Sequence, residues 1–257
     1  MRYFYPFSPP VYRPQPMRYV EPYYPVFPYS KSYNYYANYY RGSWTPLSWV
    51  EQYNYAFSGP ANSANVALTF DDGPDATFTP QILDKLKKYG VKATFFLLGE
   101  NMEKYPDLVR RIVAEGHVIG NHTYSHPNIT TLSDQEFVAE MKKTDDLIFK
   151  MAGYRPRFFR PTYGAIDENK LRWATNQNMM VIQWTIDTLD WEGRSAEQIN
   201  QMVNGNILPG SIILQHNADG VPLQGSVDSL DLFIPALLQK GTRFVTLPQM
   251  FGLPKDR

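Results

Sequence analysis

The chain carries four histidines, His117, His122, His126 and His216, and no cysteine. A thiol nucleophile, a disulfide framework and a cysteine-held metal are therefore excluded, and any transition metal must be held by His, Asp or Glu. His122-Thr-Tyr-Ser-His126 spaces two imidazoles four residues apart, so one helical turn would bring them to the same face. Zinc accepts nitrogen and carboxylate ligands, and a catalytic site uses three protein groups while leaving a position open. The third ligand must come from elsewhere, and the Asp71-Asp72 pair is the best candidate. The helix motif of zinc proteases is absent, because Thr123 stands where that motif needs glutamate. Without a third ligand the two histidines would read as hydrogen-bonded or surface imidazoles.

Adjacent carboxylates at a strand end point in different directions, so one can bind metal while the other handles protons. Two neighbouring negative charges are costly unless a cation offsets them. Taken alone, Asp71-Asp72-Gly73-Pro74 would read as a polar turn, since Asp, Gly and Pro favour turns.

The elements that must position these groups follow from the pattern beyond Val66. Short apolar, β-rich runs are expected at Asn65 to Phe70, Ala93 to Leu98, Val118 to Gly120, Arg157 to Phe159, Met180 to Trp184, Ser211 to Gln215 and Arg243 to Thr246. Amphipathic stretches alternate with them. One is entered through Thr79 and Pro80, and another runs from near Pro106 to Gly116. Ser133 with Glu136 and Ser195 with Gln198 form capping-box signatures, and Gly153 and Gly241 stand where helices should stop. About seven strand–helix units with short connections imply an α/β fold whose parallel sheet is either open and doubly wound or closed as a barrel. Asp71 and Asp72, His122 and His126, Arg160, Asp187 and Asp190, and His216 all fall after predicted strands, at the edge where parallel folds assemble sites.

The first sixty residues differ in kind. They hold fourteen of the nineteen Tyr and ten of the twenty-one Pro and show neither helical nor strand periodicity. The expected organisation is a Tyr/Pro-rich extension over residues 1–60, either strapped along the domain or acting as an adhesive arm, followed by a catalytic domain over residues 61–257. At 257 residues, 43% hydrophobic and formally uncharged, the chain can bury a large core and has no global field to draw nucleic acid or anionic lipid. No apolar run reaches the ~20 residues of a membrane span. Pro6, Pro9, Pro10 and Arg13 interrupt the N-terminus, so no signal peptide is recognised.

Five strings, in order, make the pattern specific. Thr69-Phe70-Asp71-Asp72-Gly73-Pro74 resembles the first motif of the polysaccharide deacetylase family, the carbohydrate esterase group that shares the NodB homology domain. His122 to His126 resembles the second, Arg160-Pro161-Thr162-Tyr163-Gly164 the third, Asp187-Thr188-Leu189-Asp190-Trp191 the fourth, and Leu214-Gln215-His216 the fifth. The resemblance covers residues 65 to about 250 and implies a distorted (β/α) barrel. It also implies that Asp72, His122 and His126 bind Zn2+, with Co2+ as a possible substitute, and that Asp71 is the general base. Arg160 would pair with Asp71, and His216 would protonate the departing amine with Asp190 orienting it. The Tyr163 backbone N–H would stabilise the oxyanion, and Trp191 and Leu214 would receive the acetyl methyl.

The implied reaction removes N-acetyl groups from N-acetylglucosamine units of peptidoglycan or a related β-1,4-linked polymer. The Asp71-Asp72-Gly73-Pro74 form resembles the glucosamine-directed branch. The alternative is a non-catalytic structural or carbohydrate-binding protein of the envelope or spore coat. The expected partner is a polysaccharide, peptidoglycan or chitooligosaccharide, and the expected location is the cell envelope or the spore. One departure is Thr162, where many members have a second proline, so a looser Tyr163 loop is expected. His117 matches no family role and reads as a structural histidine.

Overall fold

The computed structural model describes residues 48–218 and 220–257. Of the expected extension, residues 1–47 lie outside the described residues. Residues 48–60 are part of the packed domain: helix α1 (Ser48–Gln52) buries Trp49, and strand β1 (Tyr55–Ala56) is fully buried. Trp49, Tyr55 and Phe57 pack edge-to-face on one another.

The remaining strands are β2 (Asn65–Asp71), β3 (Thr94–Leu97), β4 (Val118–Asn121), β5 (Phe158–Phe159), β6 (Met180–Ile182), β7 (Ile186–Asp187), β8 (Ile212–His216) and β9 (Arg243–Phe244). All pair in parallel, in the order β1-β6-β5-β4-β3-β2-β8-β7, with β9 paired to the start of β2. Strands buried on both faces need near-continuous apolar runs. β2 has six consecutive buried residues and β3 and β4 are buried throughout.

The curvature of the sheet follows from one short link. β6 and β7 are six ladder steps apart, about 29 Å in a flat sheet. Ile182 and Ile186 end and begin these strands, and four residues of chain span at most about 14 Å. The sheet must therefore curl until its ends approach, giving the distorted (β/α) barrel, with Gln183, Trp184 and Thr185 crossing the gap. Thr185 is tied to Ile212 by backbone and side-chain bonds. The run expected to continue to Trp184 therefore stops at Ile182, and β1 and β7 are two strands beyond the expected seven.

Around the sheet lie α2 (Phe78–Tyr89), α3 (Gly99–Lys104), α4 (Pro106–Ala114), α5 (Asp134–Ala152), α6 (Glu168–Asn176), α7 (Ala196–Asn206), α8 (Gln224–Gln239) and α9 (Leu247–Phe251). Both expected capping boxes are present, at Ser133/Glu136 and Ser195/Gln198. Thr79 does not cap α2. Asp75 Oδ1 takes the N–H groups of Phe78 and Thr79, while the Thr79 hydroxyl donates to the Asn217 carbonyl. Among the described residues no helix is long and apolar enough to cross a membrane.

Candidate active site

Because every strand runs the same way, their C-terminal ends share one edge, and the residues that follow them converge there. Asp71 ends β2 in register with His216 at the end of β8. Asn121 ends β4 beside Phe159 of β5, so His122 and Arg160 leave neighbouring strands together. A cavity of about 760 Å³ opens at this edge, lined by Asp71, Asp72, His122, His126, Leu214 and His216. Tyr163, Trp184, Asp187 and Trp191 also line it.

Asp72 lies at the centre. Its Oδ1 stands 3.2 Å from His122 Nε2 and 3.3 Å from His126 Nε2. One ligand atom from each residue falls within 4.8 Å of the others. The His122 Nδ1 is 2.7 Å from the Arg160 carbonyl, an acceptor only, so Nδ1 carries the proton. A neutral His122 then aims its Nε2 lone pair at a carboxylate oxygen that is buried and has no donor of its own. Such an arrangement needs a cation or an extra proton between the groups. The donor set, one carboxylate and two imidazoles with a cavity on the open side, fits a divalent metal.

The charges respond accordingly. Burial opposes the Asp72 charge, but the His122 and His126 imidazoles beside it outweigh burial and hold the carboxyl well below its usual range. Burial likewise opposes a charged His122, yet the Asp71 charge and the Asp72 contacts raise it above the ordinary imidazole value.

The two histidines do not share a helix face. Thr123 and His126 both adopt positive φ, 71° and 60°, so a tight loop replaces the expected helical turn. His126 is braced from outside: the Tyr163 hydroxyl lies 3.2 Å from His126 Nδ1, with the rings edge-on at 4.7 Å. Sequence reasoning assigned Tyr163 through its backbone and missed this side-chain contact. Its φ of 58° is the local signal, because a bulky residue in that region requires outside support.

Asp71 is buried and is held by Arg160, whose Nη1 donates to Asp71 Oδ1 and to the Thr69 hydroxyl, both at 2.8 Å. Arg160 is itself fully buried, donating to the Ile182 and Gln183 carbonyls and lying over the Phe96 ring. With Oδ1 occupied, Asp71 Oδ2 faces the metal-type cluster, 3.8 Å from His122 Nε2.

On the opposite wall, His216 Nε2 lies 4.0 Å from Asp72 Oδ2, and its Nδ1 meets Asp190 Oδ1 at 2.8 Å. Burial disfavours the charged ring, but Asp190 overrides it and His216 is pushed up to about 10. Ser226, which sequence reasoning missed, donates to Asp190 Oδ2 at 2.8 Å. Leu214 is buried and Trp191 half-exposed at the same wall. Asp187 also lines the cavity, and burial raises its carboxyl above the usual value.

Thr162 does not loosen its loop as expected. It is buried, and its hydroxyl donates to the Pro127 carbonyl, tying the Tyr163 turn to the chain just after His126. Gly73 permits the close approach of Asn217, whose Oδ1 accepts the Gly73 N–H at 3.1 Å. A Cβ there would lie 1.9 Å from Asn217 Nδ2. His117 stands apart, its Nδ1 accepting the Ala93 N–H and its ring against Phe95.

Residues 58–182 match the family model described as polysaccharide deacetylase. The chain is 62% identical over 217 residues to a peptidoglycan-N-acetylglucosamine deacetylase of Bacillus cereus, covering 84% of this chain and 79% of that protein. A crystal structure of a peptidoglycan N-acetylglucosamine deacetylase bound to an N-hydroxybenzamide superposes with a TM-score of 0.82 at 62% identity, covering 83% of this chain and all of that one. A pseudoenzyme of carbohydrate esterase family 4 from Bacillus anthracis superposes with a TM-score of 0.72 at 31% identity, over 79% of this chain and 70% of that one. The 62% identity to a relative of which the chain covers 79%, together with the shared fold, establishes that the chain belongs to the polysaccharide deacetylase family.

Proposed function

We propose that the protein is a zinc-dependent hydrolase that removes acetyl groups from N-acetylglucosamine units of peptidoglycan or a related β-1,4-linked polymer. The observation that carries this reading is the unpartnered Asp72 Oδ1 facing two imidazole nitrogens, with a carboxylate and a third imidazole across the same cavity. The names of the Bacillus relatives support the substrate class.

Asp72, His122 and His126 would hold the metal, which when bound supplies Lewis acidity to the acetyl carbonyl and makes water a stronger acid. Asp71 is the base. Arg160 occupies its Oδ1, so Oδ2 takes the proton from the attacking water. The Tyr163 backbone N–H would stabilise the oxyanion that develops on the acetamide. His216 Nε2 then gives its proton to the departing nitrogen, while Asp190 keeps Nδ1 protonated and the ring aligned. Water adds across the C–N bond, leaving acetate and a free amine. Trp191 and Leu214 border the space for the methyl group.

A purely binding role is the weaker reading, because recognition alone does not require a proton acceptor and a proton donor on opposite walls. An acetate-release assay on peptidoglycan fragments and chitooligosaccharides, with and without chelator, tests the proposal. No acetate from either polymer in zinc-replete protein would overturn it. We place the enzyme at the cell envelope or the spore, where such polymers lie, and immunolocalisation confined to the cytosol would remove that assignment.

A further inference from the structure

The loop carrying His122 and His126 is conformationally costly. Thr123, a β-branched residue, and His126 sit at φ 71° and 60°, in a region that L residues occupy only when their surroundings compel it. The bonds that hold it come from one helix, from the end of β4 and from within the loop. On α5, Glu140 Oε2 accepts the N–H groups of both Tyr124 and Ser125 at 2.8 Å, and its Oε1 accepts the Ser125 hydroxyl at 2.9 Å. The Thr123 N–H donates to Asn121 Oδ1 at 2.8 Å, and the His126 N–H donates to the Thr123 hydroxyl at 3.2 Å.

Asn121 is itself held in a single orientation. Its Nδ2 donates to the Met141 carbonyl at 3.0 Å and to Asp145 Oδ1 at 2.8 Å, both on α5. Asp145 is buried, and Arg257 pairs with its other oxygen while also donating to the Pro156 and Gln177 carbonyls. The amide of Asn121 cannot turn over without losing all three bonds. Two routes therefore run from α5 to the peptide groups between the histidines, one direct through Glu140 and one through Arg257, Asp145 and Asn121.

We propose that Glu140 and the Asn121–Asp145–Arg257 chain are positioning residues that set the metal affinity and ligand geometry of His122 and His126. The inference rests on the metal reading of Asp72, His122 and His126. None of the four residues touches the cavity wall, so their effect must pass through the backbone of the loop. Partners that orient metal ligands from behind typically contribute about 10–100-fold in affinity.

The test is zinc affinity by chelator competition, together with the visible spectrum of the cobalt-loaded protein, for Glu140→Ala, Glu140→Gln, Asp145→Asn and Arg257→Ala. Glu140→Ala and Arg257→Ala are expected to weaken zinc binding about tenfold or more and to change the cobalt band shape. Glu140→Gln, which keeps one acceptor, should recover part of the loss. Asp231→Ala, which removes an acidic partner of Lys85 and Lys88 far from the loop, should lower stability without moving either readout. Should an Asp145 or Arg257 variant fail to fold, the Glu140 pair, whose side chain is only partly buried, still decides. Wild-type affinity and spectrum in folded Glu140→Ala would overturn the proposal. Wild-type protein that binds no zinc would instead sink the metal reading beneath it.

Discussion

His216 and Asp190 meet through both oxygens of one carboxylate: Oδ1 faces the His216 ring Nδ1 at 2.8 Å and Oδ2 accepts the His216 backbone N–H at 2.8 Å. The ring therefore cannot rotate without leaving its counter-charge. Burial alone would lower its pKa, and Asp190 reverses the sign and pushes it up to about 10. A raised histidine pKa favours the protonated ring below that value and loses it as pH rises through it. Metal at Asp72 would withdraw the part of the rise that Asp72 supplies, leaving Asp190 as the main support. Asp190→Asn should move the alkaline limb of kcat/KM to lower pH by about one unit or more and reduce kcat about 10²–10³-fold. An alkaline limb in the same place would remove Asp190 from this role.

In the proposed mechanism the base and a metal ligand are adjacent in sequence, and their roles can be separated by substitution. Asp71→Asn keeps an acceptor for Arg160 and leaves Asp72, His122 and His126 intact, so zinc should remain bound while kcat drops about 10²–10⁴-fold. The buried guanidinium loses its counter-charge, and stability should fall by about 3 kcal/mol. His126→Ala should instead lose zinc first, with activity partly restored by excess metal. Zinc content and acetate release measured on the same samples separate the two outcomes.

The Thr162 hydroxyl does what a rigid ring would otherwise do, by anchoring the turn to Pro127. Pro161 already has ψ 139°, a value compatible with a following proline. Thr162→Pro should exchange one hydrogen bond worth about 1 kcal/mol for a comparable gain in chain stiffness, leaving stability within about 1 kcal/mol. The kcat should then stay within about threefold of wild type, a difference of under 1 kcal/mol in the barrier. A loss beyond tenfold would show that the hydroxyl bond has no substitute.

His117 is buried beside Phe95, and burial lowers its pKa to about 4. The unfolded chain binds this proton near pH 6.5 and the folded chain does not. Stability should therefore decline as pH falls from about 6.5 to about 4, by up to about 3 kcal/mol, and level off below. His117→Asn in metal-free protein should flatten that interval in urea titrations at successive pH values. An unchanged slope would mean that other groups carry the acid sensitivity.

Much of the site could be read in order along the chain because each functional residue follows its own buried strand. Parallel strands put all such positions at one edge whatever their order in the sheet. Asp71, Asp72, His122, His126, Tyr163, Trp191, Leu214 and His216 therefore line one cavity, with Arg160 bonded to Asp71 and Asp190 to His216. The places of β2, β3 and β4 were legible for a related reason, since strands buried on both faces must be nearly continuous in apolar residues.

What the linear order left open was decided by contacts between distant segments. The early end of the run at Met180 and the separate strand β7 depend on curvature, which only the short Ile182-to-Ile186 link across the barrel gap reveals. The spacing of His122 and His126 suited a helix, yet Asn121 and Glu140 bend it into a loop with two left-handed residues. Periodicity cannot register such bonds, because their partners lie on another element. Residue types and spacing determined which groups were available. Hydrogen bonds between segments far apart in the chain decided where each lone pair points, and that direction makes the site chemical.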